Sequence, residues 1–258
     1  MQTTLEAKPQ KEIIFEPTGR RIRIEFNGIL IADSSRAMLL LETGHLPVYY
    51  LPLDDIRLDL MPQTDHASHC PYKGDAAYRS VAVGDQVAEN AVWSYPEPLP
   101  GAPDLRNHAA FSWDKMDRWF EEDEEIFRHP RSPHKRVDAI HSSRHVQIVL
   151  DGVVVADTTK AVFVFETGLP TRYYLPPEDV TGVTLTATDT HTICPYKGTA
   201  SYYTVALNGK TYPDLVWTYP EPIPEITKIA GLVSFYNEKV DQILVEGDVV
   251  PKVRTAWS

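Results

Sequence analysis

A cysteine, a proline, a tyrosine, a lysine and a glycine follow one another at positions 70–74, and the same five residues return at 194–198. The proline presets φ for a turn, and the glycine can take positive φ to end it. If the turn brings the lysine beside the cysteine, its charge favours the thiolate, the form that attacks electrophiles. Cys70, Cys194, Lys73 and Lys197 are therefore the candidate catalytic residues. The plainer reading is that cysteine acts as a small hydrophobe and that the turn only joins two strands.

Each pentapeptide sits within an aromatic set: Tyr49, Tyr50, Tyr72, Tyr78, Trp93 and Tyr95 in the first half, and Tyr173, Tyr174, Tyr196, Tyr202, Trp217 and Tyr219 in the second. Aromatic walls with a few polar groups line small-ligand pockets. On that reading Tyr50, Tyr72, Tyr78, Trp93, Tyr174, Tyr196, Tyr202 and Trp217 are the candidate ligand-binding residues. The same rings could instead fill the core of a small β domain. Thr199, Ser201, Tyr202 and Tyr203 offer hydroxyls after Cys194, where the first half has Asp75 and Arg79, so the second half is expected to be the better binder.

The carboxylates allow two readings. Asp33 with Glu42, and Asp157 with Glu166, end apolar runs and could form general acid/base pairs. Alternatively the aspartates accept hydrogen bonds from turn amides at Ser34-Ser35 and Thr158-Thr159, and the glutamates pair with Lys73 and Lys197. His66, His69 and Cys70 lie close together, and His191 precedes Cys194 by three residues, a spacing compatible with zinc. Yet His69 falls on Ile193, His66 on Thr190 and His191 on Ala67, so no ligand set repeats and no metal is expected. No cofactor is indicated. The acidic run from Glu121 to Glu125 reads as solvated surface.

The elements that must position these groups come from a duplication. Residue n matches residue n+124 without a gap from Arg21 to Glu122. Asp33 falls on Asp157, Glu42-Thr43-Gly44 on Glu166-Thr167-Gly168, and Tyr49-Tyr50-Leu51-Pro52 on Tyr173-Tyr174-Leu175-Pro176. Trp93 and Tyr95-Pro96-Glu97-Pro98 fall on Trp217 and Tyr219-Pro220-Glu221-Pro222. The division read from this match is an extension at 1–20, one copy at 21–122, a polar, proline-bearing linker at 123–143, a second copy at 144–250 and a tail at 251–258.

Within a copy the patterning is that of strands. Ile22, Ile24 and Phe26 alternate with polar residues before Asn27-Gly28, and Val146, Ile148 and Leu150 do so before Asp151-Gly152, the dipeptides a type I′ hairpin turn requires. Residues 37–42 and 161–166 read as buried strands, and residues 202–212 as a hairpin about Asn208-Gly209. Prolines at 96, 98 and 100, and at 220, 222 and 224, impose an extended segment. Residues 111–120 and 235–244 suit either a helix or strands. The expected fold is mostly β: two tandem small antiparallel domains, half-barrel or β-tent-like, with little helix and a pseudo-twofold relation.

Composition narrows the function classes. The 258 residues are 43% hydrophobic and 24% charged, which excludes a disordered or fibrous chain. A net charge of −11 repels phosphate backbones and anionic membranes, so neither nucleic acid nor membrane is an expected partner. With no apolar leader or spanning run, and two cysteines at equivalent places, a cytoplasmic protein with reduced thiols is expected.

Together the Ala-Asp-Ser/Thr, Tyr-Tyr-Leu-Pro, Cys-Pro-Tyr-Lys-Gly and Trp-x-Tyr-Pro-x-Pro-x-Pro motifs resemble the domain of unknown function 427 family over nearly the whole of both copies. The resemblance implies a compact β fold with a pocket, and no established reaction. The nucleotidyltransferase-like label sometimes attached to that family finds no Gly-Ser pair followed by Asp-x-Asp to hold two metals and a triphosphate. The function expected is therefore binding of a small molecule, with or without catalysis, by a Cys/Lys/Tyr pocket in each half or at their seam. The alternatives are a noncatalytic protein-interaction scaffold and the nucleotidyltransferase-like activity.

Overall fold

Alternation of buried and solvated side chains places strands along almost the whole chain, and the computed structural model, which describes residues 11–255, contains them in two equivalent series. The first comprises β1 (Ile13–Pro17), β2 (Ile22–Phe26), β3 (Ile29–Ser34), β4 (Met38–Glu42), β5 (Val48–Pro52), β6 (Gln63–Cys70), β7 (Gly74–Val83), β8 (Gln86–Ser94), β9 (His108–Phe111), β10 (Arg118–Glu121) and β11 (Glu124–Ile126). The second comprises β12 (Val137–His141), β13 (Val146–Leu150), β14 (Val153–Thr158), β15 (Val162–Glu166), β16 (Arg172–Leu175), β17 (Thr184–Cys194), β18 (Gly198–Leu207), β19 (Lys210–Thr218), β20 (Val233–Phe235), β21 (Gln242–Val245) and β22 (Asp248–Val249). Only short 3-10 turns interrupt them among the described residues.

Each copy folds into two antiparallel sheets. In the first, a seven-stranded sheet runs in the order β1-β4-β5-β9-β8-β7-β6 and a four-stranded sheet in the order β11-β10-β2-β3. The second copy repeats both orders, with β12-β15-β16-β20-β19-β18-β17 and β14-β13-β21-β22. This is the mostly β, half-barrel architecture expected from the patterning. The opening hairpins turn through Asn27 and Gly28 at φ of 47° and 70°, and through Asp151 and Gly152 at 49° and 71°, as a type I′ turn demands.

Successive side chains of a strand point to opposite faces, so the large sheet buries two separate sets. Leu39, Tyr49, Leu51, Val81 and Phe111 meet Ile22, Ile24 and Ile31 of the small sheet in the core between the sheets. Leu40, Tyr50, Ala76 and Ala110 point the other way and gather with Tyr95, Leu105, Tyr78, Trp93 and Cys70 on the outer face. The second copy divides in the same manner, with Tyr173 inside and Tyr174 outside.

The structure adds detail to the domain reading. Of the extension at 1–20, residues 13–17 form β1 and pair with β4; residues 1–10 lie outside the described residues. The stretch read as a linker holds β11, which pairs with β10, and β12, which pairs with β15. The chain instead divides between Ser132 and Pro133. Ile13–Pro17 and Val137–His141 share no identical residue at the 124-residue offset, so a match built on identities stops short of strands whose backbones occupy the same place. Of the two readings open for residues 111–120 and 235–244, the structure has strand, turn and strand, with β10 and β21 pairing β2 and β13.

Candidate functional site

The two pentapeptides are β-turns connecting β6 to β7 and β17 to β18. The Lys73 amide donates to the Cys70 carbonyl at 3.3 Å and the Lys197 amide to that of Cys194 at 3.1 Å. Each closing glycine has a double duty. Gly74 and Gly198 adopt φ of +104° and +106°, and a Cβ there would stand 3.2 Å from the Glu97 carbonyl oxygen and 3.1 Å from that of Glu221. The proline-rich segment is bonded to the turn at the same place: the Leu99 amide donates to the Lys73 carbonyl at 3.0 Å and the Ile223 amide to that of Lys197 at 3.1 Å. The motifs at 70–74 and 95–100 thus form one unit, repeated at 194–198 and 219–224.

That unit directs the lysine inward. Lys73 donates a short bond to Glu42, and Lys197 one to Glu166. The side chains are 10% and 7% exposed for Lys73 and Glu42, and 12% and 10% for Lys197 and Glu166, so these are buried ion pairs. Burying two charges costs several kcal/mol per ion before their attraction repays it. Lys11 joins the first pair at 2.6 Å from Glu42. Burial by itself would push the Glu42 carboxyl up, but the bonds from Lys11 and Lys73 outweigh it and hold it below its ordinary range. Cys70 and Cys194 are free, half-buried thiols packed against the aromatic clusters. Because a carboxylate engages each lysine, the charge that would favour a neighbouring thiolate is already matched.

The candidate aromatic residues separate into layers. On β5, β9 and β8 the residues Tyr50, Ala110 and Trp93 lie side by side, and Tyr174, Ser234 and Trp217 do so in the second copy. The small central residue lets the outer two meet above it. Trp93 Nε1 donates to the Tyr50 hydroxyl at 3.1 Å and Trp217 Nε1 to that of Tyr174 at 2.9 Å, with the rings edge-on in both pairs. Tyr50 and Tyr174 are fully buried, which pushes both phenols well above their usual range, and they serve as core pillars. Tyr78 shares a hydrogen bond with Ser68 at 2.9 Å, and Tyr202 with Thr192 at 2.8 Å. Tyr72, 47% exposed, lies under the Lys11 ammonium, and half-buried Tyr196 lies under that of Lys135.

The copies diverge in what covers this face. In the first, Trp93 and Tyr78 remain half-buried. In the second, Trp217 and Tyr202 are only 7% and 8% exposed. The cover includes Tyr236, whose ring centroid is 4.6 Å from that of Trp217, and Arg172, whose guanidinium lies 5.8 Å from the Trp217 ring. Arg172 forms a two-pronged pair with Glu238, both bonds 2.8 Å, and the Thr255 hydroxyl donates to Glu238 at 2.6 Å. The first copy has Val48, Ser112 and Asp114 at these positions. The hydroxyls counted in favour of the second copy do not open it: Tyr203 points into the core between the sheets, and Ser201 bonds His191 at 3.2 Å. Tyr236, Arg172 and Glu238 were missed because a search for identities discards positions at which the copies differ. The signal available was the appearance of an arginine and a longer acid in the same copy.

The remaining candidates have other partners. Asp33 takes Arg21 at 2.7 and 2.5 Å, while Asp157 takes His145 and Gln147 at 2.7 and 2.8 Å. In the turns that follow, the hydroxyls accept instead of the aspartates: Arg36 N donates to Ser34 Oγ, and Lys160 N to Thr158 Oγ1, both at 3.0 Å. His66 packs on the Tyr78 ring at 4.4 Å, and His69 pairs with Asp75 at 2.6 Å. Among the described residues no three His, Cys, Asp or Glu side chains are grouped to hold a metal ion. A cavity of about 360 Å³ lies beside Tyr95, lined by Leu53, Ser94, Pro96 and the Asp104–Arg106 pair, and the Lys73 ammonium is 5.8 Å from the Tyr95 ring.

Fold and site together define a tandem β protein in which one two-sheet domain, with its buried Lys–Glu pair and Tyr–Trp bridge, occurs twice. The family model described as domain of unknown function DUF427 matches residues 14–122 and again 138–246, and the chain belongs to that family in two copies. Both matches begin within the first strand of a copy, β1 or β12. A search of the curated proteins finds no match.

Proposed function

We propose that this protein binds a small molecule on the outer face of the first copy's large sheet, against Trp93 and Tyr78. The observation that supports this is the contrast between the copies. A half-buried indole and phenol stand over a rigid Tyr50–Trp93 bridge in the first copy, and the second copy covers the same groups. Amphipathic rings held at a partly open site supply apolar area with little entropy left to lose on binding. Cys70, at the edge of that cluster, is the group to react with an electrophilic ligand, and Lys73 and Glu42 anchor the turn that carries it. Two free thiols accord with a reducing, cytoplasmic setting.

A thermal-shift ligand screen tests the reading. A ligand at about a hundred times its dissociation constant stabilises by about 2.7 kcal/mol, and Trp93→Ala is expected to abolish the shift while Trp217→Ala leaves it in place. Hits that are indifferent to Trp93, or no hits across a broad library, would remove the site from consideration.

A further inference from the structure

The second copy carries, at the place where the first is open, a group from its own chain. Tyr236 and Ser112 are 124 residues apart, and their backbones are anchored alike: the Ser112 amide donates to the Ala91 carbonyl at 2.7 Å and the Tyr236 amide to that of Leu215 at 3.2 Å. From this shared position Tyr236 lays its ring against Trp217 at 4.6 Å, tilted by 52°, with the Tyr202 phenol close by. Ser112 places only a hydroxymethyl group there, and the Trp93 and Tyr78 equivalents of those partners are left half-buried.

Resting on the ligand-binding reading above, we infer that the first copy's face takes a neutral phenol, in the position that the second copy fills with the side chain of Tyr236. The second copy is in this sense a self-occupied version of the site. Its internal phenol shows which contacts the shared framework makes with a ring: an indole face, and a tyrosine hydroxyl already oriented by a neighbouring alcohol, Thr192 in one copy and Ser68 in the other. The differing residues set the charge of the ligand. Arg172, which lies near the Trp217 ring and is neutralised by Glu238, is replaced by Val48, which packs in the aromatic cluster of the first copy. Asp114, exposed, keeps the acid without the arginine. An aliphatic wall where the second copy has a guanidinium offers no cation to an aryl carboxylate or phosphate and suits an uncharged ring. His66, packed on Tyr78 at 4.4 Å, adds a further aromatic edge.

The test uses p-cresol, the side chain of tyrosine without its backbone, titrated against the full chain and followed by tryptophan fluorescence and ligand-observed NMR. The wild type is expected to saturate with one equivalent. Ser112→Tyr, which copies the second half's own plug, should weaken binding by about tenfold or more. Tyr236→Ala should gain a second equivalent, with its lost thermal stability partly restored by p-cresol. Benzoate should bind more weakly than p-cresol. Absence of saturation in the wild type, unchanged affinity in Ser112→Tyr, or a folded Tyr236→Ala that still binds one equivalent would overturn the inference; if Tyr236→Ala fails to fold, Ser112→Tyr decides. Failure of p-cresol beside a library ligand that depends on Trp93 overturns the phenol class and leaves the site. Failure of both removes the two together.

Discussion

Replacing Lys197 with Met removes one member of a buried ion pair and leaves the other where it is. Glu166 is 10% exposed and, among the described residues, has Lys197 as its lysine partner. An unpaired carboxylate at such a position costs about 3–5 kcal/mol. The equivalent substitution in the first copy, Lys73→Met, should cost less, because Lys11 still reaches Glu42 at 2.6 Å. What is lost there is one charged hydrogen bond, about 1.5–3 kcal/mol. With a urea dependence of about 2 kcal/mol per molar, the second-copy variant should move its unfolding midpoint by about 2 M, and hydrogen exchange would assign the transition to residues 133–255. The double variant Glu166→Leu/Lys197→Met removes the uncompensated charge and should recover most of the loss. A Lys197→Met effect no larger than that of Lys73→Met, or a double variant no more stable than the single, would refute this account of the pair.

Two further outcomes are expected. Burial opposes ionisation of Glu238, but the bonds from Arg172 and Thr255 outweigh it and bring its carboxyl down to about 2, against an ordinary 4.5. Its contribution to stability is therefore complete above the ordinary value and is lost as pH falls toward 2, so Glu238→Gln should flatten the acid limb of a thermal-unfolding profile of the second copy; an unaltered limb would contradict the assignment. Gly198→Ala forces an L side chain to φ +106° and sets its Cβ 3.1 Å from the Glu221 carbonyl, whereas Gly168→Ala at φ +80° meets nothing within 4 Å. Positive φ costs both variants of order 1–3 kcal/mol, with a further loss at Gly198 from separating the turn from the proline-rich segment, and equal melting temperatures would show that the close approach is unimportant.

By itself the sequence determined the duplication, the hairpins at Asn27-Gly28 and Asp151-Gly152, the turn character of both pentapeptides and the extended proline segments. These features rest on local sterics and on repetition, which are written residue by residue. It also named Glu42 and Glu166 as partners of the lysines, and of its candidate residues Cys70, Tyr78 and Trp93 pack in one cluster while Lys73 turns to Glu42. Strand alternation guarantees that Tyr49 and Tyr50 face opposite ways. Which of the two faces a second sheet closes depends on strands distant in the chain, and so only the tertiary structure could separate core pillars such as Tyr50 from accessible groups such as Trp93. The same limit hid β1 and β12, whose place is set by pairing with β4 and β15 rather than by any residue they share. It also hid the role of Tyr236, an ordinary tyrosine in the sequence that covers Trp217 only because β19 and β20 pair antiparallel beside each other. Patterns between near neighbours are legible because backbone geometry is local, whereas exposure and charge pairing arise when the sheets close, and no spacing along the chain encodes that distance.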